Sequence, residues 1–208
     1  MVGVAAFSAA LVAYENQRLD EAKAAWDASA AVTSTTVSPE EARRQVADAR
    51  VEVALANEQL ERWNRIFGFS NRYDIGTQLA GAIHDIALAE GIEPELAFRL
   101  VRLESEFKPT ATSQVGAVGL TQLMPSTARH FQKGITREQL YDPETNLRIG
   151  FRYLRGLIRE NDGNLKLALL TYNRGPVAVQ RSRREGRDPS NGYDKKILRG
   201  YSGDGVVD

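Results

Sequence analysis

No cysteine occurs in these 208 residues. Disulfides and thiol chemistry are therefore excluded, although that absence does not decide the compartment. Histidine is nearly as scarce, with two residues. His84 and His130 are read as satisfied histidines on a surface or helix face. Two isolated histidines and no thiol make a zinc cluster unexpected, and no metal or other cofactor is called for. Net charge is missing too: 27 Lys and Arg balance 27 Asp and Glu. Nothing overall attracts nucleic acid. The run from Arg181 to Arg187 is read as a solvated face. No convincing strand pattern or internal repeat appears, apart from a short extended piece near Leu120. What is present is ordinary for a globular chain, 42% hydrophobic and 26% charged. The length suits one domain with a real core and a helical appendage.

The first fourteen residues, Met1 to Tyr14, are apolar or small and carry no Lys or Arg. A membrane span needs about 20 residues, and a secretory signal starts basic. The stretch is compatible with a remnant of either, or with the first turns of a helix. From Leu11 to Ala31 good helix formers dominate. A break follows at Thr33 to Ser38. Ser38, Pro39 and Glu41 then form a helix-start signature. The next helix carries Val46, Ala49, Val53, Ala56, Leu60, Trp63 and Phe67 at alternating spacings of three and four, a coiled-coil-like stripe. An antiparallel hairpin is the simplest reading of residues 1–67. It offers a spacer, a self-association face or a docking face for a protein or peripheral membrane. Packing of the stripe on the domain is the expectation preferred here. Gly68 to Asp74 reads as a linker.

A helical domain is expected over residues 75–201. Ile75, Leu79, Ile83 and Ile86 mark one helix. Pro94 opens another that runs to about Phe107, Asp142-Pro143 starts a third, and Asn164 caps a short one ending near Tyr172.

Glu104 falls on an apolar helix face. At about 100° per residue, Ala97, Leu100 and Val101 lie near it. Burial disfavours the charged carboxylate, so its pKa should rise toward neutrality and make it a candidate proton donor. An ion-paired core glutamate is the bland alternative. Ser105 can orient a substrate or bond the backbone of its own helix end. Gly116 and Gly119 suggest tight turns or close approach to a ligand. Gln122 suits an acetamido group, or braces its loop. The ring of Tyr172 points inward, and its hydroxyl then needs a partner, for which a carboxylate would serve. Asn173 can cap the helix end or face a sugar.

Four blocks in order strengthen the case. They are Glu104-Ser105 with Phe107, Pro109, Ala111 and Ser113; Gly116-Ala117 with Gly119 to Pro125 and Thr127-Ala128; Asp142 to Asn146 with Gly150 and Tyr153-Leu154; and Tyr172 to Pro176. From about Ile75 to Arg199 the chain resembles the catalytic domain of the soluble lytic transglycosylases, the goose-type-lysozyme-like glycosidases. The resemblance implies an all-α, lysozyme-like domain behind an N-terminal helical hairpin. It puts the catalytic acid on Glu104 and substrate contacts on Ser105, Gln122, Tyr172 and Asn173. Phe107 and Tyr153 would help form the cleft. Where the family has Met and Ala, this chain has Thr121 and Thr171, which should alter only subsite shape. A Glu-Thr pair usual before a cleft tyrosine is replaced by Pro189-Ser190-Asn191-Gly192, ahead of Tyr193.

The implied reaction cleaves the glycosidic bond between N-acetylmuramic acid and N-acetylglucosamine in peptidoglycan, with closure of a 1,6-anhydro ring and no metal. A lysozyme-like hydrolase and a weakly catalytic peptidoglycan-binding or assembly module are the rivals. The implied setting is periplasmic or extracellular, membrane-associated or phage-associated.

Overall fold

The computed structural model describes residues 16–25 and 38–207. Residues 16–25 are helical. The apolar start and the break at 33–37 lie outside the described residues, and with them the hairpin turn. The chain divides into two units between Asn57 and Glu58, inside helix α1 (Pro39–Tyr73). Ser38 opens α1 with a reciprocal capping box. Glu41 N–H donates to Ser38 Oγ at 3.2 Å, and Ser38 N–H donates to Glu41 Oε2 at 2.9 Å. Among the described residues no helix is long and apolar enough to cross a membrane.

Two expectations for α1 fail. The segment read as a linker is helical to Tyr73. Phe69 and Tyr73 stack on Phe98, with ring centroids 4.1 and 5.5 Å away. Burying those rings outweighs the roughly 1 kcal/mol helix penalty of Gly68. Within the second unit the heptad stripe is not the packed face of α1 either. Leu60, Trp63 and Phe67 are each at least half exposed. The packed stripe is instead Ile66, Phe69, Ser70 and Tyr73, set about one residue around the helix.

The remaining α-helices are α2 (Thr77–Ala89), α3 (Pro94–Ser105), α4 (Pro125–Phe131), α5 (Pro143–Glu160), α6 (Leu165–Arg174), α7 (Pro176–Arg184) and α8 (Tyr193–Leu198), with a 3-10 turn at Glu138–Tyr141 ahead of α5. Asp142 and Asn164 cap α5 and α6, accepting from Thr145 N–H and Leu167 N–H at 2.9 and 3.0 Å. The main core gathers Ile83 of α2, Phe98 and Leu100 of α3, Phe151 and Leu154 of α5, Leu169 of α6 and Ile197 of α8. The placement of His84 in α2 differs from expectation. His84 is 1% exposed, with Nδ1 against Asp85 at 2.9 Å and Nε2 without a protein partner. The helix is enclosed by α3 and α5, which its spacing alone does not reveal.

A smaller cluster, Val118, Leu123, Ala128, Ile135, Leu140 and Ile149, supports the segment between α3 and α4. That segment closes a tight hairpin. Val118 and Leu123 exchange two backbone hydrogen bonds at 3.0 Å, in the place where a short extended piece is expected. Asn146 of α5, fully buried, locks it. Its Nδ2 donates to Val118 O and Leu140 O at 2.9 Å, and its Oδ1 accepts from Thr121 N–H and Thr121 Oγ1 at 2.8 Å. Two glycines leave room for this lock. Gly119 has φ 78°, and a Cβ there would lie 2.3 Å from Asn146 Nδ2. A Cβ on Gly150 would lie 2.3 Å from Thr121 Oγ1. Gly150→Ala is therefore expected to displace the hairpin and cost about 1–3 kcal/mol by overpacking. Urea unfolding measures this, and an unchanged midpoint would contradict the lock.

Candidate active site

Helix α3 ends at Ser105 because Glu106 and Phe107 turn left-handed, with φ 51° and 61°. Glu104 therefore stands on the last turn, partly buried beside the hairpin. Desolvation pushes its pKa from 4.5 to about 7, and a hydrogen bond from Tyr193 opposes the rise. Among the described residues no second carboxylate contributes to that shift. Among the described residues the carboxylate forms no ion pair, unlike the bland alternative of a core salt bridge.

Tyr193 is the tyrosine that meets Glu104: its hydroxyl donates to Oε1. It is buried, and its own pKa is raised, first by burial and then by the Glu104 charge. It therefore stays a donor through the neutral range. The segment lacking the Glu-Thr pair holds it by other means. Asn191 Oδ1 accepts from Tyr193 N–H at 3.2 Å, while Asn191 Nδ2 donates to Asn173 Oδ1 at 2.9 Å. Ser190 Oγ donates to buried Asp194 at 2.7 Å, and Arg174 donates to Pro189 O. Tyr193→Phe removes the bond that lowers the Glu104 pKa. Titration of the labelled Glu104 carboxyl by NMR should then give a pKa above the wild-type value of about 7. A lower value would mean that another group sets it.

Tyr172 takes a different partner from the expected carboxylate. Its hydroxyl donates to Thr121 O at 2.9 Å, because the locked hairpin presents that carbonyl. Burial, followed by the Glu104 charge, raises its pKa. Tyr153 lies beside it, ring centroids 5.2 Å apart, and meets Phe131 edge-on at 5.9 Å. The amide of Gln122 is oriented: Nε2 donates to Ala111 O at 3.2 Å and Gly119 O at 3.0 Å. Its Oε1 makes no protein hydrogen bond among the described residues.

Other candidates are used differently. Ser105 is buried, and its hydroxyl lies 2.8 Å from Leu120 O and 3.1 Å from Val101 O. It ties the helix end to the hairpin. Phe107 joins Tyr73 and Phe98, at 5.2 and 6.4 Å, rather than the tyrosines near Glu104. Asn173 is exposed and meets Asn191. Thr121 is fully buried and Thr171 donates to Leu167 O at 2.8 Å. Both serve internal hydrogen bonds. Asn146 and Asn191 are the residues whose importance sequence reasoning missed. A signal existed for Asn146, an amide four residues before Gly150 on an inward helix face. None existed for Asn191.

The family model described as Transglycosylase SLT domain matches residues 81–194, more than half of the chain. The soluble lytic murein transglycosylase of Escherichia coli strain K12 is 38% identical over 95 residues, which are 43% of this chain and 15% of that protein. The transglycosylase of Enterobacteria phage PRD1 is 41% identical over 87 residues, 40% of this chain and 30% of that protein. The chain thus spans less than a third of the length of these relatives. The crystal structure of the 70-kDa soluble lytic transglycosylase SLT70 from Escherichia coli matches at 29% identity and TM-score 0.52, covering 62% of this chain and 24% of that one. The fold is all-α and lysozyme-like, and the chain belongs to the transglycosylase SLT domain family.

Proposed function

We propose that this chain is a peptidoglycan lytic transglycosylase. It cleaves the β-1,4 bond from N-acetylmuramic acid to N-acetylglucosamine and releases a 1,6-anhydromuramic end. The observation that carries this reading is Glu104, an acid with pKa raised to about 7 by burial at the family's catalytic position. A carboxyl poised near the working pH is efficient in both directions of proton transfer.

Tyr193 occupies Oε1 of Glu104, so Oε2 carries the working proton. It passes to the glycosidic oxygen as the bond to the muramic C1 breaks. Charge develops at that carbon as an oxocarbenium-like centre. Among the described residues no second carboxylate acts on Glu104, and the substrate's own acetamido group supplies the internal assistance. Gln122 Oε1 accepts the acetamido N–H, since both amide protons of Gln122 are held by backbone carbonyls. The ionised Glu104 then removes the proton of the muramic 6-hydroxyl, whose oxygen closes on C1. Both reacting groups belong to one sugar, an entropic advantage over capture of water. Tyr153 and Tyr172 offer ring faces to the glycan, and Asn173 offers its amide at the rim. Ser105 and Phe107 act by holding the loop.

This reading puts the catalytic region at 75–201 and its site of action at the cell wall, outside the cytoplasm. The helical region 1–67 serves as the spacer or docking arm. Mass spectrometry of purified peptidoglycan digested by the wild-type chain tests the proposal. Muropeptides one water lighter than reducing-end products are expected. Reducing ends alone would assign a hydrolase. Glycan binding without products would assign a binding or assembly module.

A further inference from the structure

The helices that meet at Glu104 also bound a cavity of about 550 Å³ on the other side of α3. Five cations converge on it: Arg72 from the end of α1, Arg99 and Arg102 from α3, and Lys196 and Arg199 around the end of α8. The whole chain has formal net charge +0, so this is a local excess and not a consequence of general basicity. Two acids, Glu95 and Glu106, also line the cavity, and both are engaged. Glu95 pairs with Arg72 at 2.6 Å and Arg99 at 2.7 Å, while Glu106 pairs with Lys108 at 2.8 Å. Arg102, Lys196 and Arg199 form no ion pair among the described residues.

Two of the cations are already oriented. Arg99 Nη1 donates to Ile197 O at 3.0 Å and Arg199 O at 2.7 Å. The Arg102 guanidinium sits 5.7 Å from the Tyr73 ring centroid. Like charges drawn into a concave surface repel one another, and the concavity focuses their field. An oxyanion relieves that repulsion and offers guanidinium forks a bidentate partner. Leu103 and the Tyr73 ring add an apolar wall, suited to the organic part of the ligand.

We infer that this cavity is a binding site for an oxyanion group, a carboxylate or a phosphate, distinct from the glycan site at Glu104. The inference stands whatever reaction Glu104 performs. A bound anion bridges α3 and α8, and these helices carry Glu104 and Tyr193. Occupancy therefore holds α8 in the position from which Tyr193 donates to Glu104.

Thermal unfolding of the full chain tests this, with sodium phosphate and N-acetylalanine titrated separately against sodium chloride of equal ionic strength. A saturable rise in Tm beyond the chloride control is expected, since a ligand bound to the folded state stabilises it. The double variant Arg102→Gln, Lys196→Gln should raise the apparent Kd about tenfold or more. Arg181→Gln, an exposed cation elsewhere, should leave it unchanged. If the double variant does not fold, Arg199→Gln alone gives the same reading. Tighter N-acetylalanine supports a peptide carboxylate as the natural source, and tighter phosphate supports a phosphate-bearing one. No rise beyond chloride, or a full response in the charge variants, overturns the site.

Discussion

Glu104→Gln is expected to slow the proposed transglycosylase reaction severely and at the same time to stabilise the protein above neutral pH. The amide keeps the shape of the carboxyl and still accepts from Tyr193, but it has no proton to give. Loss of general acid–base catalysis costs about 10²–10⁴ in rate. In the proposed mechanism one group serves both steps, so the upper end is expected, with glycan binding retained. Wild-type activity should also fall as pH rises through about 7, where Glu104 loses the proton it must donate. The stability effect follows from the same shift. The folded state holds this proton up to about pH 7, whereas the unfolded chain releases it near 4.5. Stability contributed by the protonated carboxyl is thus complete below 4.5, falls across the window up to about 7, and stays lost above it. The span corresponds to about 3 kcal/mol. At pH 8 the variant should be more stable than wild type by up to that amount, and at pH 4 the two should agree. Urea unfolding at both values checks this. Equal stability at pH 8 would mean that burial does not raise the pKa of Glu104.

Asn146→Ala should be the most damaging substitution outside the reacting groups. Four hydrogen bonds converge on this side chain with no exposure to water. Alanine would orphan the Leu140 carbonyl and the Thr121 N–H inside the protein, and would strip one of two bonds from the Val118 carbonyl and from the Thr121 hydroxyl. Each buried orphan costs about 1–3 kcal/mol. A loss of about 3–5 kcal/mol is expected once the hairpin relaxes toward water. The damage should reach the site, because the hairpin carries Gln122 and the Thr121 carbonyl that holds Tyr172. Amide exchange should speed up first at Val118 and Leu123. Asn146→Asp, nearly isosteric, should fail as well, since its carboxylate would face the carbonyls of Val118 and Leu140. Wild-type stability in either variant would show that the hairpin stands without the lock.

Much of this protein is decided locally. Helix starts at Ser38, Asp142 and Asn164 follow from side chains that satisfy the first free N–H groups of a helix. The inward face that carries Glu104 follows from helical periodicity, and burial of an acid then dictates the direction of its pKa. The four ordered blocks identify the family. Tertiary structure decided which groups meet. Tyr193 reaches Glu104 across 89 residues of chain, through Asn191, whose type carries no positional signal. Tyr172, two turns beyond the Asn164 cap and equally inward, finds a carbonyl instead. Thr121 and Asn146 are polar residues whose partners come from other segments, and Ser105 adds such a partner, Leu120 O, to the one in its own helix. Periodicity states which side of a helix faces inward. It does not state what waits there, because a hydrogen-bond partner is fixed by how separate helices and loops pack together.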